Sequence, residues 1–425
     1  MKRLLRCFAL ILAAAGLAAA APAPLAAQPG PLPPGVYRLS GTDPALPQGD
    51  LEPLRKIVGK ATFVGLGESI HTSGGFYQLK DRTLRFLIER MGFRAFGMET
   101  PWYRADQVES YVQTCQGTAR DAIHGIFSVW QSTEVESMVQ WMCEWNAAHP
   151  KDRVHFYGFD IQSQSLVDGP ALIDFLHRLG IGDGDPRVAG IRACDGVETD
   201  YYLAGAPFPP ELYQQCQEAL AGVASFFDRN EKTIARRTSK KDLGWARVHL
   251  VGLRAWQEET FHLDADPDRG GRARDRGMAY TVQAIRALRF PKARTVLWAH
   301  NGHLAKKVGS SNYVAVEMGT LLAAQLKEKY AVVGLVARQT FIDWRTLGCG
   351  LARGFSTGAG SVENLFHALE PGAGVLADLK NPQYLEPGAV YTVGSVSMVP
   401  SEQFDAILYL EVSPKMHPLA WPSCQ

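Results

Sequence analysis

Four hydrophobic runs, each ending in a residue able to do chemistry, organise this chain. Residues 61–67 (Ala-Thr-Phe-Val-Gly-Leu-Gly) lead into Glu68, with His71 three positions on. Residues 93–98 (Phe-Arg-Ala-Phe-Gly-Met) end at Glu99, and residues 154–159 (Val-His-Phe-Tyr-Gly-Phe) end at Asp160. Residues 294–299 (Arg-Thr-Val-Leu-Trp-Ala) end at His300, with His303 three positions on. Short runs rich in β-branched and aromatic residues, bounded by Gly or polar residues, read as buried strands. Ligands of open α/β sheets bind beyond the carboxyl ends of parallel strands. The four runs therefore predict one sheet rim that gathers Glu68, His71, Glu99, Asp160, His300 and His303.

Between the runs the period changes. Apolar positions at 76, 79, 84, 87, 88 and 91 predict a helix that ends before Gly92. A second helix is predicted over 133–149, with Thr133 as N-cap, Glu136 completing a capping box and Pro150 as the stop. Alternation of strand and helix over 50–160 argues for a parallel sheet. Residues 160–294 carry no convincing strand, and four helical stretches fill them, at about 170–180, 210–228, 231–262 and 273–289. A helix over 314–330 and strands over 331–337 and 406–412 follow, with Gly-rich text and ambiguous short strands at 345–400. The expected architecture is α/β: a central, mostly parallel sheet flanked by helices, with an all-helical insertion between strands and a small Gly-rich C-terminal α+β part. The expected segments are an N-terminal arm at 28–50, a first α/β part at 51–164, the insertion at 165–290 and the remainder at 291–425.

The first 27 residues read as a secretory leader. Lys2, Arg3 and Arg6 form a basic start, residues 8–21 are unbroken apolar text, and Ala27 before Gln28 offers a cleavage point, with Ala20 a second choice. The apolar stretch is too short for a span; a retained anchor is the alternative. No later segment is apolar and long enough to cross a bilayer, so a soluble, exported protein (periplasmic or secreted) is expected. The formal charge is +1 and the cations are dispersed; the 272–276 cluster (Arg-Ala-Arg-Asp-Arg) carries its own Asp275. This excludes the basic stripe of a nucleic-acid or anionic-membrane binder. Beyond the leader lie six Cys, without CxxC or metal-type spacing. In an exported chain they favour disulfides, and sequential pairing (115–143, 194–216, 349–424) is expected.

Glu68-x-x-His71 places a carboxylate beside an imidazole, which fixes the tautomer and raises basicity as a general base requires. His300-x-x-His303 offers either metal ligands or stabilisers of developing negative charge. Taken singly, Glu99 and Asp160 could equally cap the next helix, and Lys80 could lie on a solvated helix face. Gly354-Phe-Ser356-Thr-Gly358 matches the serine nucleophile elbow, but the text before it is Gly-punctuated loop rather than an apolar strand, so it is read as a chance match. No HExxH, Walker A loop or dinucleotide fingerprint occurs.

The chain resembles the erythromycin esterase family. The matching text is Gly67-Glu68-Ser-Ile-His71, Phe76-Tyr-Gln-Leu-Lys80, Gly92-Phe-Arg-Ala-Phe-Gly-Met-Glu99, Trp130-Gln-Ser-Thr-Glu134, Trp141-Met near Asn146, Phe156-Tyr-Gly-Phe-Asp160-Ile-Gln162, Arg274-Asp275 before Met278-Ala279, and Trp298-Ala-His300-Asn-Gly-His303. The motifs fall in order across about residues 60–305. The resemblance implies hydrolysis of a small-molecule ester or lactone without metal or other cofactor. It implies His71 as the base activating water, Glu68 and Glu99 orienting it, His300 and His303 completing the polar site, and Lys80, Arg274 and Asp160 on the substrate side. Family members commonly carry Gly after the first His and an acidic residue four after it; here Thr72 and Gly75 stand there, and the 74–75 glycine pair is expected to widen the cleft mouth. Two other readings stay open. Glu68, His71, Glu99, His300 and His303 are also a ligand set for zinc, iron or manganese, and an exported α/β protein could bind a small molecule without turnover.

Overall fold

The computed structural model describes residues 31–162, 165–307, 317–343, 352–380, 382–394 and 396–419. The expected leader at 1–27 and the expected 349–424 disulfide lie outside these residues. The described residues from Leu32 onward belong to one compact unit.

The strands are β1 (Val36–Arg38), β2 (Phe63–Leu66), β3 (Phe93–Pro101), β4 (His155–Asp160), β5 (Arg294–Trp298), β6 (Tyr330–Asp343), β7 (Ala352–Ser356), β8 (Val375–Asp378), β9 (Tyr391–Val393), β10 (Val396–Met398) and β11 (Ala406–Ser413). The helices are α1 (Pro53–Val58), α2 (Gly74–Met91), α3 (Trp102–Thr114), α4 (Ala119–Ile123), α5 (Thr133–Ala148), α6 (Ser165–Arg178), α7 (Pro186–Cys194), α8 (Val197–Ala204), α9 (Pro210–Arg237), α10 (Lys240–His262), α11 (Pro267–Arg289), α12 (Asn301–Leu304), α13 (Met318–Leu326), α14 (Val362–Leu369) and α15 (Pro400–Gln403).

The main sheet runs β1-β8-β11-β6-β2-β5-β3-β4, with β7 on β6 and a separate β9–β10 pair. From β11 to β4 every neighbour is parallel, while β1, β7 and β8 pair antiparallel. The four opening runs are thus adjacent, in the order β2-β5-β3-β4. Their register aligns Leu66 and Met98 with Trp298, so Glu68, Glu99 and His300 leave the sheet within two residues of one another.

Both sheet faces are covered, and the alternation of strand residues decides which side chain goes where. Val64, Leu66, Phe96, Met98, Val296 and Trp298 join one core with α1, α2, α3 and α5. Phe63, Ala95 and Leu297 join the other with Met278, Val282 and Ile285 of α11 and Leu322 of α13. The insertion between β4 and β5 has its own core, built from Leu172, Phe175, Leu220, Phe227 and Leu253 among others. Disulfides join Cys115 to Cys143 and Cys194 to Cys216.

Several expectations are corrected. Residues 28–50 are not all arm: β1 extends the sheet edge on β8, and three residues are too few to show a period of two. The helix following Glu99 was not anticipated; β3 runs to Pro101 and α3 starts at Trp102. The insertion has six helices rather than four, because α7 and α8 are short. α9 continues past 228 to Arg237, and the real break is at Ser239, whose hydroxyl caps α10 by accepting from Asp242 N. Ser132, not Thr133, caps α5, accepting from Val135 N, and Glu136 instead pairs with Arg120. The helix expected over 314–330 is described only as α13, and Tyr330 already belongs to β6. Ser356 ends the antiparallel β7 and the next helix starts only at Val362, which is not a nucleophile-elbow geometry.

The glycine pair does not widen a cleft. A Cβ on Gly74 would lie 2.7 Å from Lys415 O, and one on Gly75 would lie 2.6 Å from Ser413 Oγ. Both are buried where the first turn of α2 presses on the chain leaving β11, and Gly74 N donates to Pro414 O.

Candidate active site

A single residue beyond β5 ties down the end of β2 with its backbone and the neighbouring β6 with its side chain. Asn301, first residue of α12, donates its backbone N–H to Glu68 O (2.8 Å) and its Nδ2–H to Leu335 O (2.9 Å). A Cβ at Gly67 would sit 2.0 Å from Asn301 Oδ1, so only glycine lets the clamp close. It draws the segment bearing Glu68 and His71 against the one bearing His300 and His303.

Residues 68–72 form a bend, and Thr72 is left-handed at φ 64°. That conformation is strained for a β-branched residue and accounts for glycine being common there in the family resembled. Thr72 N donates to Tyr77 Oη (2.7 Å), and Met416 N donates to Thr72 O (3.1 Å), which hold the bend. Thr72→Gly is expected to raise stability by up to about 1 kcal/mol, relief of strain outweighing the entropy of the unfolded glycine. Urea unfolding measures this, and a loss above about 1 kcal/mol would show that Thr72 packing dominates.

The bend delivers His71 to the cleft. Its Nδ1–H donates to Glu68 Oε1 (2.9 Å), and its ring is 32% exposed while Glu68 is fully buried. Glu68 Oε2 accepts from Lys80, itself fully buried on α2, with Nζ 4.1 Å from the Trp298 ring centroid. Burial pushes the Lys80 ammonium well below its ordinary value, against the charge of Glu99; the Glu68 carboxylate it touches also favours the charged form. The His71 ring meets Trp130 edge-on (4.8 Å) and His300 (5.5 Å). Desolvation lowers its pKa, with Glu99 opposing and His303 and Arg274 assisting. This favours the neutral imidazole; its Nδ1 is committed to Glu68, and its Nε2 has no hydrogen-bond partner among the described residues.

Around it lies a second network. Glu99 Oε1 accepts from Arg274 Nη2 (2.9 Å) and lies 3.3 Å from His303 Nε2, while Oε2 accepts from His300 N (2.9 Å). Arg274 also donates from Nη2 and Nε to the fully buried Asp160. His303 Nδ1–H donates to Asp275 Oδ1 (2.7 Å), and Asp275 Oδ2 accepts from Glu317 N and Met318 N. Desolvation opposes a charge on His303, but Asp275 and Glu99 on either side override it and lift the imidazolium to about 10. Desolvation likewise opposes ionisation of Glu99, yet His303 and Arg274 hold it well below the carboxylate range.

His300 differs from the expectation of a ligand or charge stabiliser. Its Nε2–H donates to Ser69 O (2.9 Å) and its Nδ1 accepts from Gly302 N (3.1 Å). Both ring nitrogens are used by backbone, and burial presses its pKa down to about 3. It is a neutral wall that ties the two clamped segments. The metal-ligand set is engaged in the same way: His303 faces two carboxylates, Glu68 faces a cation, and among the described residues no group of three or more His, Cys, Asp or Glu side chains is arranged to hold a metal ion.

The cleft has a volume of about 330 Å³ and is lined by His71, Glu99, Gln162, Arg274, His300 and His303, with Phe127, Ser128, Val129 and Trp130. Lys80 and Asp160, expected on the substrate side, lie behind this surface, against Glu68 and Arg274. Asp275 was read as mere charge balance in an Arg cluster; it is fully buried on the inner face of α11 and orients His303. Glu259 of α10, 6% exposed and accepting from Gln162 Nε2 (2.6 Å), carried no sequence signal. Desolvation raises its pKa to about 7.

Residues 88–413 match the model of the family described as erythromycin esterase; Glu68, His71 and Lys80 lie ahead of that segment. Among curated proteins, the chain is 23% identical to the YbfO protein of Bacillus subtilis over 309 residues (68% of this chain, 67% of that protein). It is 32% identical to erythromycin esterase type II of Escherichia coli over 112 residues, 26% of each chain. With erythromycin esterase type I of Escherichia coli it shares 23% identity over 297 residues (65% of this chain, 70% of that protein). Among solved structures, an erythromycin esterase mutant, EreC in its open conformation, superposes with a TM-score of 0.74 at 18% identity (91% of this chain, 99% of that one). A succinoglycan biosynthesis protein superposes at 0.72 with 21% identity (90% and 96%). At these identities the structures establish a shared fold.

Proposed function

Since the chain belongs to the erythromycin esterase family of hydrolases, we propose that it is an exported, metal-independent hydrolase in which His71 activates water for attack on a small-molecule ester or lactone carbonyl. The observation that carries this reading is an imidazole that lines a cleft with one ring nitrogen held by a buried carboxylate. The buried Glu68 fixes the Nδ1–H tautomer, so Nε2 can take the proton of a water. Arg274 and the His303 imidazolium lie in the same cleft, and their positive charge offsets the charge that develops on the carbonyl oxygen. The proton on His71 Nε2 then passes to the departing alkoxide. The lining of Phe127, Val129 and Trp130 suits an apolar part of the substrate. The basic start and apolar 8–21 segment, together with two disulfides, support export.

A screen of ester and lactone substrates, macrolides included, tests the reading. Turnover is expected, and EDTA is expected to leave it intact. Loss in EDTA restored by a divalent ion would replace the water-activating imidazole by metal-assisted hydrolysis, and substrate binding without consumption would make the protein a binder. The pH profile carries the signs of the two imidazoles. His71 acts unprotonated and its pKa is lowered, so kcat/KM should be flat at pH 7 and fall only on the acid side of about 6.5. His303 acts protonated with a raised pKa, so activity should decline as pH rises through about 10.

A further inference from the structure

We infer that Gln162, oriented by Glu259, is a specificity-determining residue that offers the cleft a carbonyl acceptor and selects esters carrying a hydroxyl donor. The inference rests on the hydrolase reading and names its substrate class. Gln162 stands two residues beyond β4 and is held at both its backbone and its side chain. Its backbone N–H donates to Asp160 Oδ1 (2.9 Å), and its Nε2–H donates to Glu259 Oε1 (2.6 Å).

The partner decides which way the amide faces. A carboxylate oxygen only accepts, so the NH₂ end of Gln162 must point to Glu259. Glu259 Oε2 is buried without a hydrogen-bond partner among the described residues. A proton taken up by this raised carboxyl group can reside there, which leaves Oε1 an acceptor in both protonation states. The carbonyl Oε1 of Gln162 is then the end left to the cleft that Gln162 lines, and among the described residues no donor reaches it. Among the other polar groups of the lining, Arg274 is committed to Asp160 and Glu99, His303 to Asp275 and Glu99, Glu99 to Arg274 and His300 N, and His300 to backbone, while the open acceptor of His71 is the nitrogen that takes the proton of water. A substrate hydroxyl therefore meets a fixed neutral acceptor, while an ester lacking it leaves that acceptor to water.

The test compares 4-nitrophenyl hexanoate with its 3-hydroxy and 6-hydroxy analogues. For the wild-type chain, kcat/KM should favour at least one hydroxylated ester by about three- to tenfold, the worth of one neutral hydrogen bond. Gln162→Leu should bring the ratio to within about twofold, the loss for the hydroxylated ester falling mainly in KM. Glu259→Gln should also lower the ratio, since its amide no longer forces the Gln162 NH₂ toward it. The exchange Gln162→Glu with Glu259→Gln should restore it, because a carboxylate at 162 again presents an acceptor; a merely structural role would show no such rescue. Turnover of all three esters without preference, or a preference unchanged in both single variants, overturns the inference and leaves the hydrolase reading standing. Absence of turnover, with calorimetry showing tighter binding of the hydroxylated acid amides than of hexanamide, overturns the hydrolase reading and keeps the selection. Neither turnover nor binding overturns both.

Discussion

Replacing His71 with alanine is expected to lower ester turnover by about 10²–10⁴-fold, the usual worth of a positioned general base. Water must then attack without an acceptor for its proton, while Arg274 and His303 still stabilise the developing charge. The loss should fall in kcat and kcat/KM together, because the ring is needed in the transition state. The fold should hold. His71 is one third exposed, and Glu68 keeps its contact with Lys80 when the imidazole is removed, so the change in stability should stay within about 1 kcal/mol. Glu68→Gln is the companion: it keeps the volume but removes the carboxylate that fixes the tautomer. Turnover by folded His71→Ala within a few-fold of the wild type would remove His71 from the role of base.

Arg274→Met is expected to be the most damaging single change to stability. Arg274 is 16% exposed and bridges two buried carboxylates, Glu99 and Asp160. Their charges hold its guanidinium well above the ordinary value, against the desolvation that would lower it. Methionine fills much of the volume but removes the cation that both buried carboxylates share, and breaking a buried ion pair from one side costs about 3–5 kcal/mol. For a chain of this size that lowers Tm by about 5 °C. The effect should also be non-additive. Once Arg274 is gone, Asp160→Asn should restore part of the stability, whereas in the wild-type background it should destabilise. A Tm for Arg274→Met within 1 °C of the wild type would mean that the bridge is solvated and of little consequence.

The same network shows how far the site was legible in the chain. The strand ends were: Glu68, Glu99 and His300 follow apolar runs whose composition leaves little choice but a buried strand, and parallel pairing puts those ends together. The Glu68–His71 contact was anticipated as well, from the three-residue spacing. The molecule makes it with a bend that needs a left-handed Thr72, because Gly74 and Gly75 pull the start of α2 against the chain beyond β11. Lys80 and Asp160 were placed on the substrate side by the resemblance; both are buried behind the cleft, Lys80 against Glu68 and Asp160 against Arg274, more than a hundred residues along the chain. Asp275 hid within a run of arginines, and Glu259 lay on a long helix with no local mark.

What the sequence determined alone was therefore local in origin: the four strands, the α/β class, and the chemical types arriving at one rim. Hydrophobic period, chain length between strands and residue type carry that information, and none of it requires knowing what lies opposite. What only the tertiary structure decided was the state of each group. The ring nitrogens of His300 are used up by Ser69 and Gly302, those of His303 lie between Asp275 and Glu99, and His71 alone of the three keeps an uncommitted nitrogen toward the cleft. Protonation and reactivity depend on desolvation and on charges within a few ångströms, and those neighbours come from segments up to about two hundred residues apart, as in the bond between His300 N and Glu99. Only the packing of the sheet, the Asn301 clamp and α11 brings them into range.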